Sequence, residues 1–159
     1  MAWPTDVLRL RVGLAGLLLV PLVGCAGEQE TYCDAVAEEK QTLEDLSARA
    51  DDPETGTLAE TIDAFERLQE DTPDDLVDEW DTYVTALQAL QTALEDADAD
   101  ESMFTDGEKP EGMSDEDYDS ISAAAVELRS TRVVEAAAGI EQHALDVCKI
   151  SLSGSGLAP

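Results

Sequence analysis

The chain has 159 residues, with 37 Asp and Glu side chains against 9 Lys and Arg, so its formal net charge at pH 7 is −28. Nucleic-acid binding needs basic side chains that neutralise phosphates, and attraction to anionic lipids needs them as well. The charge therefore argues against nucleic acid as a partner and against attachment to a membrane through basic residues.

The first 24 residues predict a signal peptide. Arg9 and Arg11 form a short basic region, and residues 12–23 form an apolar run. A transmembrane helix needs about 20 apolar residues, so this run is too short to span and fits the core of a signal peptide. Its removal leaves residues 25–159, which carry 36 acidic and 7 basic side chains and a net charge of −29. That length suits a single domain with its own core.

The apolar run ends in Leu22-Val23-Gly24-Cys25, with an aliphatic residue three positions before the cysteine and a small residue directly before it. This pattern resembles the lipobox of bacterial lipoproteins. The resemblance implies cleavage after Gly24 and a lipid anchor with palmitate on Cys25, at the extracytoplasmic face of the cell membrane. Two or three acyl chains hold a protein there, whereas one binds only marginally. The alternatives are an ordinary cleaved signal peptide and a buried apolar helix that contains Cys25 by chance.

Three segments are expected after the signal peptide. Residues 25–30 are expected to form a short tether, residues 31–150 a helical bundle domain, and residues 151–159 a flexible C-terminal tail. Apolar residues recur at helical spacing through the domain, and no alternation of period two persists. The predicted fold class is therefore all-α.

The first two predicted helices cover residues 31–50 and 57–71. Their apolar stripes are Cys33, Val36, Leu43, Leu46 and Ala50 in the first, and Leu58, Ile62, Phe65 and Leu68 in the second. Asp51-Asp52-Pro53 breaks the helical pattern between them. Thr57 and Glu60 have the spacing of a capping box, in which the hydroxyl and the carboxylate each satisfy a free backbone N–H.

The third predicted helix covers residues 73–96, with Thr72 as its N-cap and Pro73 at its first helical position. Its apolar face runs through Leu76, Trp80, Tyr83, Leu87, Leu90 and Leu94. This continuous face predicts that the helix is the central element of the domain. A long acidic loop over residues 97–113 is expected to follow it.

The last helical traverse is predicted over residues 114–149, starting at Ser114. Its buried residues are expected to be Tyr118, Ile121, Ala125, Leu128, Val133, Ala137, Ile140, Ala144 and Val147. Within it, Ser130-Thr131 either begins a new helix or marks a kink.

Cys33 and Cys148 are the cysteines that remain once Cys25 is assigned to lipid. Outside the cytoplasm two thiols can pair, and this pairing is worth about 4 to 5 kcal/mol in the chain-entropy model. A Cys33–Cys148 disulfide makes the first and last helices antiparallel neighbours. It predicts an antiparallel up-down bundle of four traverses, with the disulfide facing the membrane and the loops 51–57 and 97–113 at the far tip. The alternative is two free buried cysteines.

Several segments together resemble small helical lipoproteins of high-GC Gram-positive bacteria. They are the lipobox, the following "YCDAV", the middle segment "TPDDLVDEWDTYVTAL" and the final "GIEQHALDVC". The resemblance covers most of the chain after Cys25 and implies an envelope location and a helical fold. It supplies no catalytic residue.

Two features bear on catalysis and metal binding. His143 is the only histidine, which argues against metal clusters and catalytic sets built on histidine, so we interpret it as a residue at the edge of the core. The run Asp96-Ala97-Asp98-Ala99-Asp100 has the first three ligand positions of an EF-hand loop. The match fails at Glu101, where that loop needs glycine, and at Gly107, where it needs glutamate. No metal site and no cofactor are predicted.

These observations favour a non-enzymatic interaction or scaffold module of the cell envelope. It would be a monomer, anchored by lipid, whose acidic tip or bundle groove engages a cationic or helical partner protein. The alternative is a small domain that binds a solute or cation, or a hydrolase that uses acidic residues. That alternative requires a concave, partly apolar pocket with converging carboxylates.

Overall fold

The computed structural model describes residues 25–50, 57–104 and 108–152. The predicted signal peptide over residues 1–24 lies outside the described residues, as do the helix-breaking residues 51–56 and the end of the predicted tail, 153–159. Within the described ranges the chain is helical and has no strand, which confirms the all-α prediction.

The described ranges contain five α-helices. They are α1 (Cys25–Ala50), α2 (Leu58–Glu70), α3 (Val77–Asp96), α4 (Asp115–Leu128) and α5 (Thr131–His143). A 3₁₀ helix at Glu101–Phe104 follows α3, and a π-helical turn at Ala144–Cys148 continues α5. Helical residues thus occupy most of the positions where apolar periodicity predicts them.

Helix α3 is the centre of the bundle, as predicted from its long apolar face. Helix α2 packs on one side of it, while α4 and α5 pack along it in succession. Gly139 of α5 approaches α3 so closely that a Cβ atom on residue 139 would lie 3.2 Å from Glu79 Cγ. Helices α4 and α5 therefore form one split traverse, and the predicted bundle of four traverses is confirmed.

Aromatic side chains form the middle of the core. Trp80 of α3 is fully buried, and its Nε1 donates a hydrogen bond of 3.1 Å to Tyr32 Oη of α1. The ring of Phe65 from α2 lies 5.7 Å from Trp80 and 5.5 Å from Tyr83, in tilted and edge-on geometries that aromatic pairs favour. This cluster joins α1, α2 and α3. Tyr32, which the predicted stripe omits, is as deeply buried as Trp80.

Both helices of the last traverse have serine N-caps. Ser114 Oγ accepts a hydrogen bond of 3.0 Å from the N–H of Asp117, which confirms the predicted start of α4. Ser130 Oγ accepts one of 3.4 Å from the N–H of Val133, so Ser130 begins a new helix. Such caps satisfy backbone N–H groups that a helix start leaves without partners.

The predicted start of the third helix is wrong. Thr72 does not cap α3, because its Oγ1 donates a hydrogen bond of 3.0 Å back to Leu68 O at the end of α2. The N–H of Leu76 then bonds to Pro73 O at 2.9 Å, which makes residues 73–76 a turn. Helix α3 accordingly begins at Val77.

Three further expectations differ from the structure. Residues 25–30 are helical from Cys25 and do not form an extended tether; they are mostly good helix formers, and Glu28 in the first turn suits the helix dipole. Val147 is 37% exposed, since the π-helical turn shifts the register of the buried face. Leu152, assigned to the flexible tail, is only 1% exposed.

Leu152 is held by a short segment that folds back after the π-helical turn. Lys149 reverses the chain in a left-handed conformation with φ of 61°. Glu141 then accepts hydrogen bonds from Ser151 Oγ at 3.1 Å and from the N–H of Leu152 at 3.0 Å. Lys40 of α1 adds a bond of 3.1 Å to Ser151 O. The segment therefore closes the same end of the bundle as the disulfide.

None of the helices in the part of the chain that the structure describes is both long enough and apolar enough to cross a membrane.

Candidate functional site

The bundle has two ends that differ in chemistry. We call the end that holds Cys33 and Cys148 the base, and the end that holds the start of α2 and the end of α3 the tip. The predicted lipid acceptor Cys25 is the first residue of α1, but its side chain lies outside the described part of the chain. It precedes Cys33 by eight positions along the helix, which amounts to about 12 Å.

The disulfide at the base joins the first and last elements of the domain. Cys33 near the start of α1 and Cys148 at the end of the π-helical turn have their sulfur atoms 2.01 Å apart and their Cα atoms 5.1 Å apart. The pairing predicted from the sequence is therefore confirmed. It closes a loop with a sequence separation of 115, which is a large constraint on the unfolded chain.

His143 also lies at the base and is half-buried. Its ring packs edge-on against Tyr32, with the ring centroids 5.7 Å apart. Its Nε2 atom is buried and has no hydrogen-bond partner among the described residues. This setting matches the interpretation of His143 as a residue at the edge of the core.

The tip contains a groove between α3, the 3₁₀ helix and α4, with a volume of about 380 Å³. We call it the tip groove. Leu90 and Leu94 line it from α3, Phe104 from the 3₁₀ helix, and Tyr118 and Ile121 from α4. The rings of Phe104 and Tyr118 stack with their centroids 6.4 Å apart. The groove is therefore an apolar surface on a helical framework, built over a small second core that includes Ala93, Leu94 and Ile121.

Glu101 lines one side of the tip groove and caps α2. The cap of α2 therefore differs from the predicted one. Its Oε1 accepts hydrogen bonds from the N–H of Thr57 at 2.5 Å and from that of Leu58 at 2.8 Å. Thr57 makes no capping bond with its own side chain, so the predicted capping box with Glu60 is wrong. A carboxylate from the 3₁₀ helix thus serves as the N-terminal cap of α2, where the helix dipole favours negative charge.

The acidic run that resembles an EF-hand shapes the turn between α3 and the 3₁₀ helix. Asp98 has a positive φ of 51°. Asp100 Oδ1 accepts hydrogen bonds from the N–H of Ser102 at 2.9 Å and from its hydroxyl. Among the described residues no group of three or more His, Cys, Asp or Glu side chains gathers in a metal-binding arrangement.

The segment that supplies most of the tip groove is acidic. Residues 95–129 include 13 acidic and two basic side chains, which gives this stretch a net charge of −11. Lys109 donates a hydrogen bond of 2.5 Å to Asp115 and holds the pKa of that exposed carboxyl below its usual value. Arg129, just after the end of α4, also lines the groove. The surrounding potential therefore favours cationic partners.

A second, smaller depression carries carboxylates beside the start of α3. It has a volume of about 230 Å³ and is lined by Asp78, Glu79, Arg132 and Glu135 among others. Asp78 and Glu135 are exposed to solvent, and Arg132 is engaged by an ion pair with Glu127. It is an open depression on the surface, and five of its six lining residues are polar or charged.

No protein-family model, curated protein or solved structure matches this chain. The function proposed below is therefore argued from the residues and their geometry.

Proposed function

We propose that this protein is a lipid-anchored lipoprotein at the extracytoplasmic face of the cell membrane, where it acts as a non-enzymatic interaction module and belongs to the small helical lipoproteins that its sequence resembles. A lipid with palmitate on Cys25 anchors the base of the bundle to the membrane. The protein is a monomer, and its tip binds a cationic or helical protein of the envelope.

The pairing of Cys33 with Cys148 is the observation that carries this proposal. Structural disulfides persist in oxidising compartments and are rare in the bacterial cytoplasm. A paired bridge thus agrees with the export that the basic and apolar leader predicts. Cys25 precedes the bridge by about two helical turns, so a lipid at this position would hold the base close to the bilayer.

An interaction module fits the surface chemistry better than an enzyme does. The tip groove is apolar, and its walls are helices rather than loops, which suits the binding of another protein element. His143, the only histidine of the sequence, packs against Tyr32 at the base and not in the groove. We therefore assign the tip groove to recognition.

Mass spectrometry of the protein isolated from membranes of producing cells tests the anchor and the compartment together. We expect an N-terminal peptide that begins at Cys25 and carries acyl chains, and a peptide pair linked through Cys33 and Cys148. The Cys25→Ala variant should lose the lipid and leave the membrane fraction, while it keeps the disulfide. An unmodified, uncleaved N-terminus, or two thiols that alkylate without reductant, would contradict the proposal.

Interaction is tested by cross-linking intact envelopes that contain the full chain at low and at high ionic strength. We expect a partner that is captured at low salt and lost at high salt, because the attraction is between opposite charges. The absence of any salt-sensitive partner in envelopes where the protein is lipidated would argue against a recognition role.

A further inference from the structure

We propose that the tip groove binds a cationic amphipathic helix of a partner protein. This inference rests on the proposed function and deepens it, since it names the surface that recognises the partner and the chemistry of what it takes. It follows from the packing at the tip, the side chains along the groove and the local charge.

The packing partners of α4 leave a place for another helix. At the base the bundle is closed, because the π-helical turn packs on α1 and is bonded to it through the disulfide. At the tip, α4 packs mainly on α3, whereas α1 packs on α2 and on the π-helical turn. The break between α4 and α5 at Ser130 lies between the closed base and the open tip. The tip groove is thus the open end of an otherwise closed bundle, and a helix is the element that completes helix packing.

The side chains along α4 suit a helix as occupant. Tyr118, Ser122, Ala125 and Arg129 line the groove at steps of four, three and four residues, so they lie on one face of α4. Ser122 and Ala125 in the middle of this face are small, which allows a second backbone to approach closely. The face spans residues 118–129, or about 16 Å. It therefore accommodates about three turns of a partner helix.

Val126 is the exposed apolar anchor of this surface. It lines the tip groove and is 68% exposed, the largest value among the exposed large apolar side chains of the described residues. An apolar side chain in such a position is expected to be covered by the apolar face of an amphipathic helix, as in helix-in-groove recognition. A helix with leucines at steps of three and four residues presents such a face.

The acidic side chains near the tip groove indicate that the partner helix carries basic residues beside its apolar face. Asp115 and Asp119 are exposed to solvent. They lie on the same face of α4 as the groove residues Ser122 and Val126, at steps of four, three and four residues. The stretch 95–129 has a net charge of −11. An acidic helix, or a second copy of this protein with a net charge of −29 over residues 25–159, would be repelled. Lysine and arginine beside the apolar face would be attracted.

The test uses the lipidated protein, which begins at Cys25, in nanodiscs of zwitterionic lipid, with empty nanodiscs as the blank. The probe is a fluorescein-labelled peptide of leucine and lysine, about 18 residues long so that a helix can form, with its leucines on one helical face. Two comparison peptides replace lysine with glutamate or scramble the leucine positions. We expect fluorescence anisotropy to report saturable binding of the first peptide and none of the other two, and binding should weaken as salt rises.

Two matched pairs of variants locate the binding. Val126→Gln should weaken binding about five-fold, as expected when a largely exposed apolar side chain is no longer covered. Val77→Gln, which changes an exposed valine at the other end of α3 (39% exposed), should leave binding unchanged. Asp119→Asn should weaken binding about two-fold at low salt and not at high salt, while Asp34→Asn on α1 should have a smaller effect.

Several results would overturn the inference. They are no binding of the leucine–lysine peptide, equal binding of the glutamate or the scrambled peptide, equal effects of Val126→Gln and Val77→Gln, or a concentration-dependent dimer that buries Val126. These failures are distinguishable from failure of the proposed function. If the protein is lipidated and captures a salt-sensitive partner that Val126→Gln does not release, the recognition role stands and the tip groove is not its site.

Discussion

At the scale of single residues, burial changes the ionisation of two tyrosines, Tyr32 and Tyr83. Burial raises the pKa of Tyr32 to about 12, and the hydrogen bond donated by Trp80 offsets only part of this rise. Burial likewise raises the pKa of Tyr83 to about 12. Both phenols therefore keep their protons in the folded protein at pH values where an unfolded chain, with a tyrosine pKa of about 10, loses them.

We predict that the protein loses stability steeply between about pH 10 and pH 12. In this window the unfolded state binds fewer protons than the folded state, so the free energy of unfolding falls by up to ~1.4 kcal/mol per pH unit for each of the two tyrosines. Urea unfolding at a series of pH values measures this slope. Tyr32→Phe and Tyr83→Phe should each reduce it by about half.

Measurements at pH 8 serve as the control for these variants, because both tyrosines are neutral there in either state. At pH 8, Tyr32→Phe should cost about 1 kcal/mol, since Trp80 Nε1 loses its acceptor. Only the additional loss of stability above pH 10 reports ionisation of the tyrosines. If Tyr32→Phe and the parent protein have the same slope, burial of the Tyr32 phenol does not control alkaline stability.

The sequence predicts much of the core at this scale, and its omission of Tyr32 has a physical reason. Val36, Leu43 and Leu46 follow helical spacing and are buried as expected. Tyr32 precedes Val36 by four residues and continues the same face. The predicted stripe begins at Cys33 and omits Tyr32. Its burial depends on Trp80, 48 residues away.

At the scale of elements, local signals predict helix starts only where the cap comes from the same segment. Ser114 and Ser130 accept hydrogen bonds from residues three positions later, so the sequence contains the whole motif. The start of α2 is different. Its cap is Glu101, which lies 43 residues beyond Leu58, and no window along the chain brings the two together. The same limit applies to the tip groove, whose walls come from separate elements.

We predict that Glu101→Ala lowers the free energy of unfolding by about 1 to 2 kcal/mol, because two backbone N–H groups at the start of α2 lose their acceptor. Glu101→Gln should cost less, since the amide oxygen still accepts while the charge that suits the helix dipole is lost. Urea denaturation followed by the fluorescence of Trp80 gives the free energies.

Glu111→Ala is the matched control for Glu101→Ala, because it removes an exposed glutamate from the same connection between α3 and α4. It should change stability by less than about 0.5 kcal/mol. Equal costs for the two alanine variants would mean that the hydrogen bonds of Glu101 to α2 contribute nothing specific.

At the scale of the whole molecule, two cysteines and the count of helical traverses predict the topology. A bond between the first and last helices requires an even number of traverses, and this reasoning gives the order in which the helices pack. What it does not predict is that the final traverse divides into α4 and α5, with α4 mainly on α3. That division creates the tip groove, and it depends on a cap at Ser130 that the sequence leaves open between a new helix and a kink.

We predict that the melting temperature rises with salt between low and moderate ionic strength. Residues 25–159 carry 36 acidic and 7 basic side chains, and salt screens the repulsion among them. Trp80, the only tryptophan after residue 24, reports unfolding by fluorescence. The rise should shrink near pH 4, close to the sequence pI of about 4.1. A melting temperature independent of salt at pH 7 would show that repulsion does not limit stability.

The bond between Cys33 and Cys148 turns nearly the whole domain into a covalent ring, since the two residues are 115 positions apart. A protease that cuts the backbone once anywhere inside this ring opens it but releases no fragment. The clipped molecule keeps both pieces together and runs as one species on a gel until a reductant separates them. In an environment rich in secreted proteases, a nicked copy would thus remain a single molecule, with its tip still joined to its first helix.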